Sequence, residues 1–170
     1  IMELVVLVNE ADQQIGLMEK LEAHQKGLLH RAFSVFLFNK KGEMLLQKRA
    51  NTKYHSPNLW TNAVCSHPRN GESYKNGALR RLNEELGIST EIEEKFHFIY
   101  KADVGQNLWE HELDYVFVGI YDGIFNLNPN EVSETRYISL VDLQKEILSN
   151  PDNFTEWFKI ILNKYLEFLK

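Results

Sequence analysis

Only one cysteine stands among the 170 residues, so no disulfide can close within the chain, and Cys65 serves either packing or chemistry. Positive charge is not in excess. Nineteen Lys and Arg face 24 Asp and Glu, leaving a net charge of -5 and a pI of about 5.7, which excludes a global basic field for holding nucleic acid. Local cationic clusters can still hold a small anion, so a small ligand is expected. No run approaches the roughly 20 apolar residues that span a bilayer. The N-terminus lacks the basic region, apolar run and small-residue cleavage site of a secretory signal. No nucleic-acid or membrane partner is expected, and the location expected is the cytoplasm, where a free thiol stays reduced. Ile1, ahead of Met2, is set aside.

What is present is ordinary in proportion: 44% hydrophobic and 25% charged residues suit a globular chain that buries a real core. The length fits a single domain, 1–170, and no repeat, low-complexity segment or linker divides it. Nothing in the composition specifies an oligomeric state.

Strand patterns dominate the first half. Glu3 to Asn9 reads as a short apolar strand, Ala11 to Gln14 as a turn, and Ile15 to Met18 as a second strand. His30 to Phe38 alternates and is followed, after Asn39-Lys-Lys-Gly42, by Glu43 to Arg49, which predicts a β-hairpin. Residues 50–58 carry turn chemistry, and Leu59 to Val64 reads as a strand. Ala78, Leu82 and Leu86 recur at helical spacing from Ser73 as N-cap to Gly87 as stop. Gly77 inside that helix costs about 1 kcal/mol relative to alanine. Lys95 to Ala102, Glu112 to Tyr121 and Arg136 to Ile138 read as further strands. Helices are expected over Leu140 to Leu148 and Phe154 to Leu169, the latter with one apolar stripe. Strands and helices mix without βαβ regularity, so the class is α+β.

The spacing of the polar residues is informative. If their segments are extended, Cys65 and His67 share one face and Glu110 and Glu112 share another, on facing strands, with His111 pointing away. Arg81 and Glu85, four apart on a helix, can present a cation and an anion to one site. A lone cysteine is otherwise among the most often buried types, and an isolated histidine is more often satisfied or solvated, the class in which His55 and His97 are left.

Glu72, Arg80-Arg81-Leu82-Asn83-Glu84-Glu85 and Gly87-Ile88 resemble the Nudix box, the loop-helix-loop that holds a divalent cation against a diphosphate. The match departs at two positions: Ser66 replaces the opening glycine, and Arg81 replaces a carboxylate expected in hydrolases. Across most of the chain, His30-Arg-Ala-Phe-Ser34, Gln47-Lys-Arg-Ala50, Trp60-Thr-Asn-Ala-Val-Cys-Ser-His-Pro68 and Glu110-His-Glu112 resemble the type I isopentenyl-diphosphate delta-isomerases of the Nudix superfamily.

That resemblance implies a Nudix-like mixed sheet flanked by helices and an isomerase interconverting isopentenyl and dimethylallyl diphosphate. It implies Cys65 and Glu112 as the acid-base pair, which suits moving a double bond with two proton transfers and no organic cofactor. Tyr100 would stand beside Glu112 and Trp157 would face the carbocation, with Trp60 as a pocket wall. His24, His30, His67, Glu110 and Glu112 would hold Mn²⁺, Zn²⁺ or Mg²⁺, and Glu85 an Mg²⁺ arriving with the diphosphate. Lys20, Arg49, Lys53 and Arg81 would take the diphosphate's charge. The alternatives are a Nudix hydrolase cleaving a nucleoside diphosphate derivative, disfavoured by Arg81, and a silent domain that keeps the fold.

Overall fold

The computed structural model describes residues 2–170. Strands β1 (Leu4–Val8) and β2 (Gln14–Glu19) pair antiparallel. Their turn is tied by the Asn9 carboxamide, whose Oδ1 accepts from the backbone N–H of Ala11 and Gln13 at 2.9 and 3.0 Å. Helix α1 (Lys20–Lys26) follows at once, capped by Glu19 and closed by Gly27 at φ 65°. The sequence pattern misses this helix, because seven residues with only Ala23 and His24 buried carry no readable apolar stripe.

Next come β3 (His30–Phe38), β4 (Met44–Arg49), β5 (Trp60–Thr61) and β6 (Val64–Ser66). The expected hairpin of β3 and β4 exists only at its base, where Phe38 pairs with Met44; beyond that the strands splay. The chain from 60 to 66 fills the wedge, β5 pairing with β4 and β6 with β3. This is why the single strand expected over Leu59 to Val64 is two: the chain changes partner at Asn62. There the fully buried Asn62 amide donates to the carbonyls of Val35 and Val64, at 2.9 and 3.0 Å.

Helix α2 (Tyr74–Leu86) has the predicted caps, Ser73 accepting from Asn76 N–H at 3.1 Å and Gly87 in the left-handed region. Its interior Gly77 has a packing reason: a Cβ there would stand 2.8 Å from the Phe33 ring. Glycine lets α2 press directly onto β3, which outweighs its weak helix propensity.

Strands β7 (Ile92–Asp103) and β8 (Trp109–Ile120) form a long antiparallel pair, and β9 (Val132–Ile138) lies along β4. All three begin earlier than the sequence pattern suggests. For β8 this matters, because Glu110 then belongs to the same strand as Glu112. Helices α3 (Leu140–Ser149) and α4 (Glu156–Tyr165) close the chain, the last turn, Leu166–Leu169, being 3₁₀ and not α.

The decisive pairing is β3 with β8, parallel from His30 opposite Glu112 to Phe38 opposite Ile120. With β6 on its other edge, β3 is buried on both faces: Phe33, Val35 and Leu37 pack on Ala78, Leu82 and Leu86 of α2, while Phe36 packs under Trp157, Phe158 and Ile161 of α4. A strand covered by helices on both sides must be apolar almost throughout, as β3 is. The mixed sheet flanked by helices is thus the observed architecture. Thiol and carboxylates, however, do not lie on facing strands; β6 and β8 flank β3 in one sheet. Among the described residues no helix is long and apolar enough to cross a membrane.

Candidate active site

Three elements converge at the start of β3. Its first residue, His30, lies beside Glu112 of β8; α1 brings His24; and His67 follows directly on β6. One ligand atom from each of His24, His30, His67, Glu110 and Glu112 lies within 4.8 Å of all the others. Two backbone carbonyls set the tautomers. His24 Nδ1 is 2.6 Å from Lys20 O and His30 Nδ1 is 2.8 Å from Leu28 O. Since a carbonyl only accepts, each Nδ1 carries the proton and each neutral ring presents a bare Nε2. Those Nε2 atoms come within 2.9 Å of Glu110 and 3.4 Å of Glu112, yet neither is aligned as a hydrogen bond. Together with His67 Nδ1 and Glu110 Oε2 they are buried without partners. Buried polar atoms that converge without satisfying one another fit a divalent cation, held by mixed nitrogen and oxygen donors.

The electrostatics agree. Burial alone would lower His24, but Glu110 and Glu112 outweigh it and raise its pKa. Burial would raise Glu110, but His24 and His55 hold it well below the usual carboxylate range. His67 is pushed down by burial.

Cys65 belongs to a different hydrogen-bond system. Its thiol donates to Asn62 Oδ1 at 2.9 Å and its sulfur accepts Trp157 Nε1–H at 3.0 Å. Burial first, and then the nearby Asp114, push the thiol pKa up. A nucleophilic cysteine needs the opposite, a lowered pKa, so this environment keeps the proton on the sulfur. Glu112 accepts from Tyr100 O–H on one oxygen and lies 3.0 Å from His67 Nε2 on the other. Cys65 and Glu112 therefore meet only through the cleft they both line.

That cleft is narrow, with a cavity volume of about 70 Å³. It also holds the four cations, each already engaged. Lys20 pairs with Glu3 at 2.9 Å and Lys53 with Glu131 at 2.7 Å. Arg81 reaches Glu84, Glu85 and Glu131 at 2.9, 3.1 and 3.3 Å. Arg49 donates to the carbonyls of His55 and Ser56, both at 3.1 Å, and lies 5.2 Å from the Trp157 ring. Glu85 is buried, its pKa raised by that burial, and accepts from Gln47 at 3.2 Å.

The NUDIX domain family matches residues 28–158. The chain is 50% identical to an isopentenyl-diphosphate Delta-isomerase of Aliivibrio fischeri, over 98% of this chain and 97% of that one. It is 48% identical to isopentenyl-diphosphate Delta-isomerase 2 of Photorhabdus laumondii, over 95% and 91%. The chain belongs to the isopentenyl-diphosphate Delta-isomerases of the NUDIX family. Solved structures resemble it in fold alone. A Deinococcus radiodurans protein superposes with a TM-score of 0.78 at 20% identity, over 96% of this chain and 99% of that one. A MutT NUDIX hydrolase of Burkholderia pseudomallei gives 0.63 at 19%, over 81% and 98%.

NUDIX enzymes generally use divalent metals, and the histidine-glutamate group could hold one. Within the family's box, Glu72 is spent on Arg80, at 2.9 Å. Arg81, in place of a carboxylate, turns towards the cleft.

Every residue singled out from the sequence for catalysis, metal or diphosphate lines this cleft or its metal cluster, apart from Tyr100, which reaches it through Glu112. Trp60 is a correction: it is not a wall of the cleft but stacks under Arg136, 4.5 Å away, because β5 pairs with β4 and turns it outward. His111 does point away, bonded to Gly27 O at 2.9 Å, and His97 stacks on Tyr115. His55 was missed. It is buried in the cleft with Nε2 2.9 Å from Glu110, and the one available signal was its place between Arg49 and Trp60, in a loop already carrying Lys53. Asn62 and Glu131, whose roles depend wholly on tertiary partners, had no sequence signal.

Proposed function

We propose that residues 1–170 act as one catalytic domain that interconverts isopentenyl and dimethylallyl diphosphate by adding a proton at one alkene carbon and removing one from another. The observation that supports this best is the presence of Cys65 and Glu112, wired separately, on one cleft that also holds four cations. In the forward direction one group protonates the terminal methylene carbon, giving a tertiary cation. The other takes a proton from the methylene next to the diphosphate-bearing carbon, so no proton is gained or lost overall.

Tyr100, donating to Glu112, fixes the carboxylate's orientation. Trp157, buried and bonded to the Cys65 sulfur, keeps water from the cation and offers it an electron-rich wall. Lys20, Arg49, Lys53 and Arg81 bind the diphosphate, which exchanges their present partners for its own oxygens. His24, His30, His67, Glu110 and Glu112 would hold Mn²⁺, Zn²⁺ or Mg²⁺, and Glu85 an Mg²⁺ accompanying the diphosphate. The bound cation supplies local positive charge that keeps the carboxylates ionised and in place. The working compartment is the cytoplasm, where Cys65 stays a thiol.

Incubation with isopentenyl diphosphate and Mg²⁺ is expected to yield the allylic diphosphate without phosphate release. Phosphate release without allylic product would replace this reading by a hydrolytic one.

A further inference from the structure

The donor group of five leaves out one imidazole of the cleft, His55. It is only 6% exposed, and its Nε2 lies 2.9 Å from Glu110 Oε1, the same oxygen that His24 Nε2 approaches at 2.9 Å. The other oxygen of Glu110, Oε2, is buried and has no partner. Ring positions separate His55 from the donors. His24, His30 and His67 form a triangle with centroids 5.0, 5.1 and 5.8 Å apart. His55 stands 5.6 Å from His24 and packs against Tyr54 and Trp157, at 4.8 and 5.9 Å.

The ring is held in that pose from two sides. Its Nδ1 lies 3.2 Å from the Ser56 hydroxyl, and the backbone that carries it is pinned by Arg49 through the carbonyls of His55 and Ser56. A neutral imidazole has one donor and one acceptor nitrogen. Glu110 only accepts, so the proton belongs on the Nε2 that faces it and Nδ1 is left to accept from Ser56.

We infer that His55 is a positioning residue for the metal centre: its Nε2–H, in close contact with Glu110 Oε1, fixes the carboxylate and leaves the unpartnered Oε2 for the cation. The inference rests on the metal reading above. Outer partners of this kind typically contribute 10- to 100-fold in metal affinity.

The test is Mn²⁺ binding without substrate, by equilibrium dialysis, to the full chain and to His55→Phe, His55→Gln and Glu110→Gln. His55→Phe keeps a ring against Trp157 but loses the donor, and is expected to bind Mn²⁺ about 10- to 100-fold more weakly with an unchanged melting temperature of the metal-free protein. His55→Gln, which keeps an N–H, should recover most of the loss. Wild-type affinity in His55→Phe, or a Gln variant as weak as the Phe variant, overturns the inference while leaving the metal site standing. A wild-type chain that binds Mn²⁺ no better than Glu110→Gln overturns the metal reading itself and the inference with it. If His55→Phe does not fold, Ser56→Ala is the substitute: releasing Nδ1 should weaken Mn²⁺ binding by a smaller factor, and no change refutes the role.

Discussion

The cleft is lined by two groups, a histidine end in which His24 and His30 are aimed by the backbone carbonyls of Lys20 and Leu28, and a cationic end in which Lys20 and Lys53 are aimed by the carboxylates of Glu3 and Glu131, the two meeting on α1. The histidine end is built from the strands β3 and β8, the helix α1 and the chain just after β6, and its pose needs no ligand. The cationic end draws on α1, the end of β4, the loop after it and α2, and carboxylates neutralise Lys20, Lys53 and Arg81 while Arg49 meets only backbone carbonyls and Trp157. This difference follows from what each end must bind. A divalent cation requires donors preset to within about half an ångström. A diphosphate brings several charges of its own and can replace Glu3 and Glu131 as partner, so internal ion pairs hold the cations in place until it arrives.

Removing the proposed proton-transfer groups should have the largest effect. Cys65→Ala and Glu112→Gln are each expected to lower kcat by about 10² to 10⁴-fold, the usual contribution of an acid or base. Cys65→Ala should still bind Mn²⁺ normally, and a steady-state assay beside a dialysis measurement checks both halves. Retention of more than about a tenth of wild-type turnover is too much activity for either role.

The histidine end is broken most directly by His67→Ala. The wild-type chain should take up one Mn²⁺ without substrate and a second metal only with diphosphate, because Glu85 alone offers too few ligands for a tightly held ion. At a hundred times its Kd, the first metal should stabilise the fold by about 2.7 kcal/mol. In His67→Ala that stabilisation, read by thermal melting, and the activity should vanish together. Two tight metals in the free protein would contradict the asymmetry between the ends.

The cationic end should respond more mildly, and in both directions. Arg81→Glu removes a charge-assisted contact of about 1.5 to 3 kcal/mol and adds a repulsion, so substrate affinity should fall at least tenfold with no phosphate release. New diphosphate cleavage there would show that Arg81 alone separates this family from hydrolases. The smallest effect is expected for Glu131→Gln, which frees Lys53 and Arg81 from a partly exposed pair worth roughly 0.5 to 1 kcal/mol. Its KM should drop about two- to fivefold by that measure. A raised KM would mean that Glu131 positions the cations instead of holding them in reserve.

Much of this was legible from the chain alone, for local reasons. Ser73, the stripe of Ala78, Leu82 and Leu86, and Gly87 mark α2 because capping and periodicity act within a few residues. Glu110 and Glu112 share a face because alternate residues of any strand do. Cys65 stood out because nothing else in the chain could pair with it. Helix α1 was illegible: its short run has no stripe, and it is a helix because Glu19, Gly27 and the burial of Ala23 and His24 make it one.

What tertiary structure decided is which distant pieces touch. No pattern within His30 to Phe38 says that it runs along β8 and β6 and meets the β4 that follows it only at Phe38 and Met44; burial on both faces by α2 and α4 selects that arrangement. The same pairing sets His30 against Glu112, and the loop folded over the cleft sets His55 against Glu110. Sequence determines which side chains are available and which face of their own element they occupy, since those depend on bonds and periods of a few residues. Their meeting at one point depends on strand partners far apart in the chain, and the energy that chooses those partners is the packing of the whole core.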